Sequence, residues 1–154
     1  MNAWLNRILV AGLTVAVLGL GSLASQPAFA DAVKDRQEAM KSISKANKTL
    51  RAAAKDGKAD EVEKQAKMIV ALADKLPTLF PKGTDRGTLD PKTTRAKPEI
   101  WTNWSDFEKK AGDLKSMAMQ IASAAGKGDL SMAGEGVNKS CGGCHKAFRG
   151  PEVK

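Results

Sequence analysis

The chain has 154 residues, enough for one compact domain with a hydrophobic core. Its 25 lysine and arginine residues outnumber 17 acidic ones, which gives a net charge of +8 at pH 7. This balance would suit nucleic-acid binding, but the lysines are spread along the chain and form no dense run. We therefore interpret them mainly as a solvated surface that can also steer an acidic protein partner.

Residues 1–30 show the three parts of a secretory signal peptide: a short start with one arginine, an apolar run over 8–20, and a small-residue site at Ala28-Phe29-Ala30. The run is shorter than the roughly 20 residues of a spanning helix, which disfavours an uncleaved anchor. We expect cleavage after Ala30 and no stable membrane insertion of the mature chain, 31–154. Its 24 basic and 17 acidic residues give a net charge of +7. Export also argues against a nucleic-acid partner.

Apolar residues recur at alternating spacings of three and four in four segments, which predicts four amphipathic helices. The first should run from a cap at Asp31 to a stop at Asp56-Gly57, and the second should end near 77–80. The Gly-, Pro- and Thr-rich stretch 81–98 has no periodicity. It is longer than the roughly 2–8 residues usual between bundle helices, so we expect a loop across the surface.

The third predicted helix has Pro98 in its first turn and ends at Gly126, and Asp129 can cap the fourth, which ends at Gly150-Pro151. No strand pattern appears, because β-branched residues are few. Four helices of similar length with mostly short turns predict an all-α fold, an antiparallel up-down-up-down four-helix bundle.

The only cysteines and the only histidine of the chain lie together in CGGCH, as Cys141, Cys144 and His145, late in the fourth helix. A disulfide oxidoreductase usually places Cys-x-x-Cys where a helix begins in an α/β domain. A structural zinc site needs four ligands, and the motif offers three. A simple disulfide in a haem-free helical interaction protein would leave His145 without a role.

Covalent attachment of one haem c accounts for all three residues and for their order. Each cysteine sulfur would add to one vinyl group as a thioether, and the two-residue gap places both sulfurs on one helical turn. His145 would then reach the iron as the proximal ligand. Because bacteria join c-type haem outside the inner membrane, the predicted export fits, and we expect a periplasmic protein.

Since the chain has no second histidine, a methionine sulfur is the expected distal iron ligand. In the predicted bundle the end of the fourth helix lies beside the start of the first, where Met40 falls on the apolar stripe. Met117, Met119 and Met132 would lie roughly 18 Å or more from this end at 1.5 Å per residue. Met68 is nearer but falls off its stripe, so Met40 is the predicted ligand.

Four segments, in order, resemble those of the class II c-type cytochromes, the cytochrome c′ family. The resemblance covers nearly all of 31–149 and implies the same bundle and the same haem attachment. The segments are RQEAM at 36–40, LPTLFPKGT at 76–84, KPEIWTNWSDF at 97–107 and CGGCHKAFR at 141–149.

The resemblance also implies roles for three polar residues. Arg36 and Gln37 would lie beside the haem near its propionates, and Arg149 would sit close to the proximal histidine. An arginine suits a propionate because its planar fork can bond a carboxylate at two points.

The family divides at the position of Met40. Members with an apolar residue there are generally five-coordinate, high-spin and bind NO or CO, whereas members that use methionine are six-coordinate and low-spin. We expect a one-electron carrier with His/Met iron, not an enzyme, whose partners are periplasmic redox proteins with acidic docking surfaces. The alternative is a high-spin protein that binds NO or CO. Relatives occur as monomers or homodimers, and we expect one of these states.

Overall fold

The computed structural model describes residues 26–153, so the apolar run at 8–20 lies outside the described residues and the signal peptide stays a prediction. No helix of the described part combines the length and apolar composition that a membrane crossing requires. Two 3₁₀ turns lie at Leu76–Leu79 and Ser131–Ala133. The helices are α1 (Gln26–Lys55), α2 (Ala59–Lys75), α3 (Glu99–Thr102), α4 (Trp104–Ala125) and α5 (Gly136–Phe148).

The four long helices pack in sequence, α1 against α2, α2 against α4, and α4 against α5. A short turn joins α1 to α2, and Gly57 adopts a φ of 68° there, which glycine reaches without steric cost. Within residues 26–153 there is no strand, and one isolated bridge pairs Ala96 with Arg149. The predicted all-α, antiparallel up-down-up-down four-helix bundle is confirmed.

One predicted helix start is wrong, and one predicted helix is interrupted. The first helix begins at Gln26, before the predicted cap at Asp31, because nothing in Ala28–Ala30 breaks a helix and Pro27 lies in the first turn, where a missing N–H costs nothing. The third is interrupted at Asn103, whose backbone (φ −123°, ψ 48°) leaves the helical region and separates the single turn of α3 from α4.

The fourth helix is shorter than predicted. The carboxylate of Asp129 accepts a hydrogen bond from the Ser131 amide at 2.9 Å, at the start of the 3₁₀ turn, whereas the residue before α5 is Glu135, so the predicted cap of the fourth helix is wrong. The prediction of similar helix lengths is therefore wrong, since α5 has 13 residues and α1 has 30. Glycines at 134 and 136, which are poor helix formers, fit the late start of α5.

Two groups of buried side chains hold the bundle together. Near the end of α5 lies an aromatic cluster in which Phe107 meets Phe80 edge-on at 4.7 Å and Phe148 at 5.6 Å between ring centroids, with Ile100 beside them. Such geometry adds to the free energy gained by burial. The main core fills the rest of the bundle with aliphatic side chains and alanines, including Leu50, Val62, Ala66, Ile69, Leu114, Ala118, Ile121 and Val137.

Replacing Leu50 with alanine should lower the free energy of unfolding by about 2–5 kcal/mol, because this fully buried side chain would leave a cavity. Urea unfolding followed by far-UV circular dichroism measures the change. The control Met119→Leu, at a 53% exposed position, should stay within about 0.5 kcal/mol of the wild type. Equal midpoints for the two variants would contradict the assignment of Leu50 to the core.

Candidate haem site

A cavity of about 610 Å³ opens at the end of the bundle between α1, the 81–98 loop and α5. The aromatic cluster forms one wall, and Met40, Cys144 and His145 form others. A smaller cavity of about 210 Å³ adjoins it and shares those three residues, Ser44 and Phe107. The two cavities therefore form one region around the predicted attachment motif.

Both cysteines lie in this region on α5. Cys144 lines both cavities and Cys141 lines the smaller one, and neither sulfur is in a disulfide. Burial raises the pKa of both thiols above the ordinary value. A reactive disulfide oxidoreductase instead lowers the pKa of its attacking thiol. The electrostatics of α5 thus disfavour the oxidoreductase interpretation of Cys-x-x-Cys.

His145 projects into the same region from the next position of α5. Burial lowers its pKa, and the positive charges of Arg149 and Arg95 lower it further. A lowered pKa means that the neutral imidazole is favoured at neutral pH. The neutral form is the one that binds a metal ion through a ring nitrogen.

Met40 is half-buried on α1, lines both cavities and contacts both the main core and the aromatic cluster. The other methionines of the described chain line neither cavity. Met68 and Met119 are exposed, and Met117 and Met132 pack against the main core. The structure therefore brings only Met40 to the cavity walls that contain His145.

Arg36 lines the larger cavity, but its guanidinium bonds to the 81–98 loop. One Nη donates to Thr84 Oγ1 at 2.8 Å, and the other donates to Thr84 O at 2.6 Å and to Thr94 Oγ1. The guanidinium also stacks on Phe80, 4.9 Å from the ring centroid. Burial lowers the pKa of Arg36 to about 10, against a smaller opposing effect of Asp85, so the cation persists at neutral pH.

Gln37 and Arg149 also line the cavity. The Gln37 side-chain amide donates to the Thr93 carbonyl at 2.9 Å, which adds a second tie between α1 and the 81–98 loop. Arg149 follows α5 and is exposed, and its backbone N–H donates to the His145 carbonyl at 3.0 Å. The residues expected near the haem are thus assembled at one place.

Comparison with known proteins places the chain in a family. The sequence profile described as Cytochrome C′ matches residues 31–149. The chain belongs to the cytochrome c′ family.

Its relatives agree with this assignment. The cytochrome c′ of Rubrivivax gelatinosus is 38% identical over 128 residues, which cover 77% of this chain and 94% of that protein. Cytochrome c-556 of Agrobacterium tumefaciens (strain B2A) is 33% identical over 122 residues, 76% of this chain and 95% of that protein. The solved nitric oxide complex of a mutant cytochrome c prime from Alcaligenes xylosoxidans superimposes with a TM-score of 0.67 at 26% identity, covering 80% and 97% of the two chains.

As a cytochrome c′-family protein the chain binds one haem c covalently, and the site fits that group. A volume of about 610 Å³ lies within the range of about 300–1,000 Å³ typical of ligand sites, and the mostly apolar wall is also typical. Cys141 and Cys144 are unpaired thiols that would hold the group. His145, with its neutral imidazole favoured, would bind the iron.

The sequence pattern does not indicate the residues that build the loop side of the cytochrome's cavity. Thr84 and Thr94 are buried and receive the Arg36 guanidinium. Two backbone hydrogen bonds lie nearby. The Lys97 N–H donates to the Phe148 carbonyl at 3.0 Å, and the Gly150 N–H donates to the Arg95 carbonyl at 2.7 Å. An aperiodic loop carries no signal for such long-range pairs, although its concentration of threonines marks it as rich in hydrogen-bonding groups.

Proposed function

We propose that the protein is a periplasmic one-electron carrier with six-coordinate, low-spin iron, and that His145 and Met40 are the axial ligands. It is a carrier for other redox proteins and not an enzyme in its own right. The observation that carries this proposal is the position of Met40, which lines both cavities that contain His145. A thioether sulfur opposite a histidine is a common ligand pair in electron-transfer cytochromes.

A bound haem supplies an iron that takes up and releases one electron. The residues around it set the conditions for that exchange. His145 is favoured in the neutral form that can donate a nitrogen lone pair. The aromatic cluster excludes water from one wall, and low polarity, together with the axial ligands, tunes the reduction potential. Arg36 holds a positive charge at the wall.

A second candidate function is binding of NO or CO by high-spin, five-coordinate iron. A solved structure that is similar to this chain favours it. The similar protein from Alcaligenes xylosoxidans was solved as a nitric oxide complex. In this alternative Met40 packs beside an open coordination position and does not bind the iron.

Absorption spectra of the oxidised and the dithionite-reduced holoprotein, with and without CO, distinguish the two functions. Ligation by Met40 should give a sharp reduced α-band that CO leaves unchanged. Met40→Leu should then bind CO and have a lower reduction potential, since methionine ligation raises it. The control Met119→Leu should behave as the wild type, because that side chain is exposed on α4. A broad wild-type spectrum that shifts with CO would reject the carrier proposal in favour of gas binding.

A further inference from the structure

The larger cavity is lined by basic side chains and by no acidic one. The chain as a whole has 25 basic and 17 acidic residues, so a lining of average composition would contain carboxylates as well. The basic residues are Arg36, Lys41, Lys45, Lys48, Arg95 and Arg149. We call all of these except the buried Arg36 the basic rim.

Three lysines of the basic rim form a row on α1. Lys41, Lys45 and Lys48 are spaced by four and three residues, so they share one face of the helix, and all three are exposed. Within residues 26–153 none of them lies within 4 Å of a carboxylate, whereas Lys115 pairs with Asp74 at 2.6 Å. The row is therefore charge that the described part of the chain leaves uncompensated.

The two arginines of the basic rim belong to the other side of the opening, beside α5. Arg149 is exposed, and Arg95 is half-buried with one carboxylate nearby, that of Glu152 at 3.7 Å. Both arginines are close enough to His145 to lower its pKa. Positive charge therefore lies on both sides of the opening that leads to the predicted iron ligand.

We propose that an acidic surface of a redox protein docks over the basic rim, with its carboxylates facing Lys41, Lys45, Lys48 and Arg149. This inference rests on the proposed carrier function and identifies the surface through which the electron is exchanged. Clustered charge of one sign around a cleft raises the rate of encounter with a partner of opposite charge. The propionates of a haem would carry at most two negative charges, fewer than the five cations of the rim. A protein is favoured over a lipid surface because electron exchange, on which this inference rests, needs a redox-active partner beside the opening, and a lipid headgroup supplies none.

Stopped-flow oxidation of the reduced holoprotein tests the surface with two probes of opposite charge. In each reaction one electron passes from the protein to the oxidant, ferricyanide in one case and tris(phenanthroline)cobalt(III) in the other. A lysine-row variant is compared with a control that has the same change in charge at the opposite end of the bundle. The variants are Lys41→Glu/Lys45→Glu/Lys48→Glu and Lys58→Glu/Lys64→Glu/Lys127→Glu, and all six positions are exposed.

At about 0.1 M ionic strength, where the screening length is about 10 Å and distant charges are largely screened, the lysine-row variant should react with ferricyanide about fivefold more slowly than the wild type. It should react faster with the cobalt complex. The control should change either rate by less than about twofold, and all differences should vanish near 1 M salt, where the screening length is about 3 Å. If the glutamate variant does not fold, Lys41→Gln/Lys45→Gln/Lys48→Gln can replace it. This variant changes the charge by half as much, so the logarithm of the rate constant should change by roughly half as much, in the same direction.

Equal effects of the two triple variants would overturn the docking surface while leaving the carrier function intact. If the wild type exchanged no electron with either oxidant, the carrier function would fail, and the docking proposal with it. Poly-L-glutamate, as a mimic of an acidic protein, should slow the reaction of the wild type with ferricyanide and leave the lysine-row variant unaffected. Lysine-dependent sedimentation with phosphatidylglycerol vesicles, without inhibition by polyglutamate, would assign the surface to lipid and overturn the protein partner.

Discussion

Replacing both Cys141 and Cys144 with alanine should abolish covalent haem completely. These are the only cysteines of the chain, so no other thiol can add across a vinyl group to form a thioether. Reverse-phase chromatography with mass spectrometry measures the effect, because thioether formation loses no atoms and the wild-type mass should exceed that of the polypeptide by one whole haem. The double variant should elute at the mass of the polypeptide alone.

Single variants separate the two thioethers. Cys141→Ala and Cys144→Ala should each keep one bond and still carry covalent haem, at lower yield. Lys139→Ala serves as the matched control on α5, because this exposed side chain lines neither cavity and should leave the added haem mass and the yield unchanged. Covalent haem in the double variant would contradict the assignment of these two residues.

The helices were predictable because their burial follows the helical period. In α2, for example, Val62, Ala66, Ile69 and Ala73 recur at intervals of three and four and are all buried. The helix predictions fail where the local backbone conformation determines whether a helix continues. At Asn103 the backbone leaves the helical region, although the apolar spacing of three and four continues past this residue. Periodicity describes which face is buried and does not report such a break.

The site was predictable to the extent that topology alone brings residues together. Up-down-up-down packing places Met40 near the end of α5, and the structure assembles it with His145 in one cavity. Bundle topology could not predict the hydrogen-bond acceptors of Arg36. Thr84 and Thr94 lie 48 and 58 residues away along the chain, in a loop without apolar periodicity. The resemblance implied a position near the propionates but gave no sign of these loop contacts.

Arg36→Leu should be among the most destabilising substitutions at the site, by about 2–4 kcal/mol, because three hydrogen bonds from a buried cation and its contact with Phe80 are lost together. The Thr84 carbonyl would keep no donor, whereas Thr94 Oγ1 would still accept from the Ala96 amide at 3.1 Å. The substitution also removes the free-energy cost of burying a charge. The loss in free energy of unfolding should therefore be smaller than the sum of three charged hydrogen bonds. Urea unfolding measures the change in free energy.

A second measurement reports on the 81–98 loop itself. In the folded wild type, Arg36 holds this loop against α1. Under native conditions trypsin should therefore cleave the wild type after Lys92 more slowly than it cleaves Arg36→Leu. Arg51→Leu, at an exposed position of the same helix, should change neither the free energy of unfolding by more than about 0.5 kcal/mol nor the rate of cleavage. Wild-type cleavage and stability in Arg36→Leu would show that the loop is held by its other contacts.

Arg36→Lys separates charge from geometry. A lysine keeps the positive charge at the cavity wall, but its single ammonium cannot reproduce a planar fork that bonds Thr84 at two atoms and Thr94 at a third. If geometry holds the loop, Arg36→Lys should be cleaved at Lys92 nearly as fast as Arg36→Leu. If charge alone is sufficient, it should resemble the wild type. We expect the first result, because the three hydrogen bonds of Arg36 go to neutral oxygens whose spacing matches a planar guanidinium. A single ammonium keeps a positive charge near Phe80 but cannot bond all three oxygens.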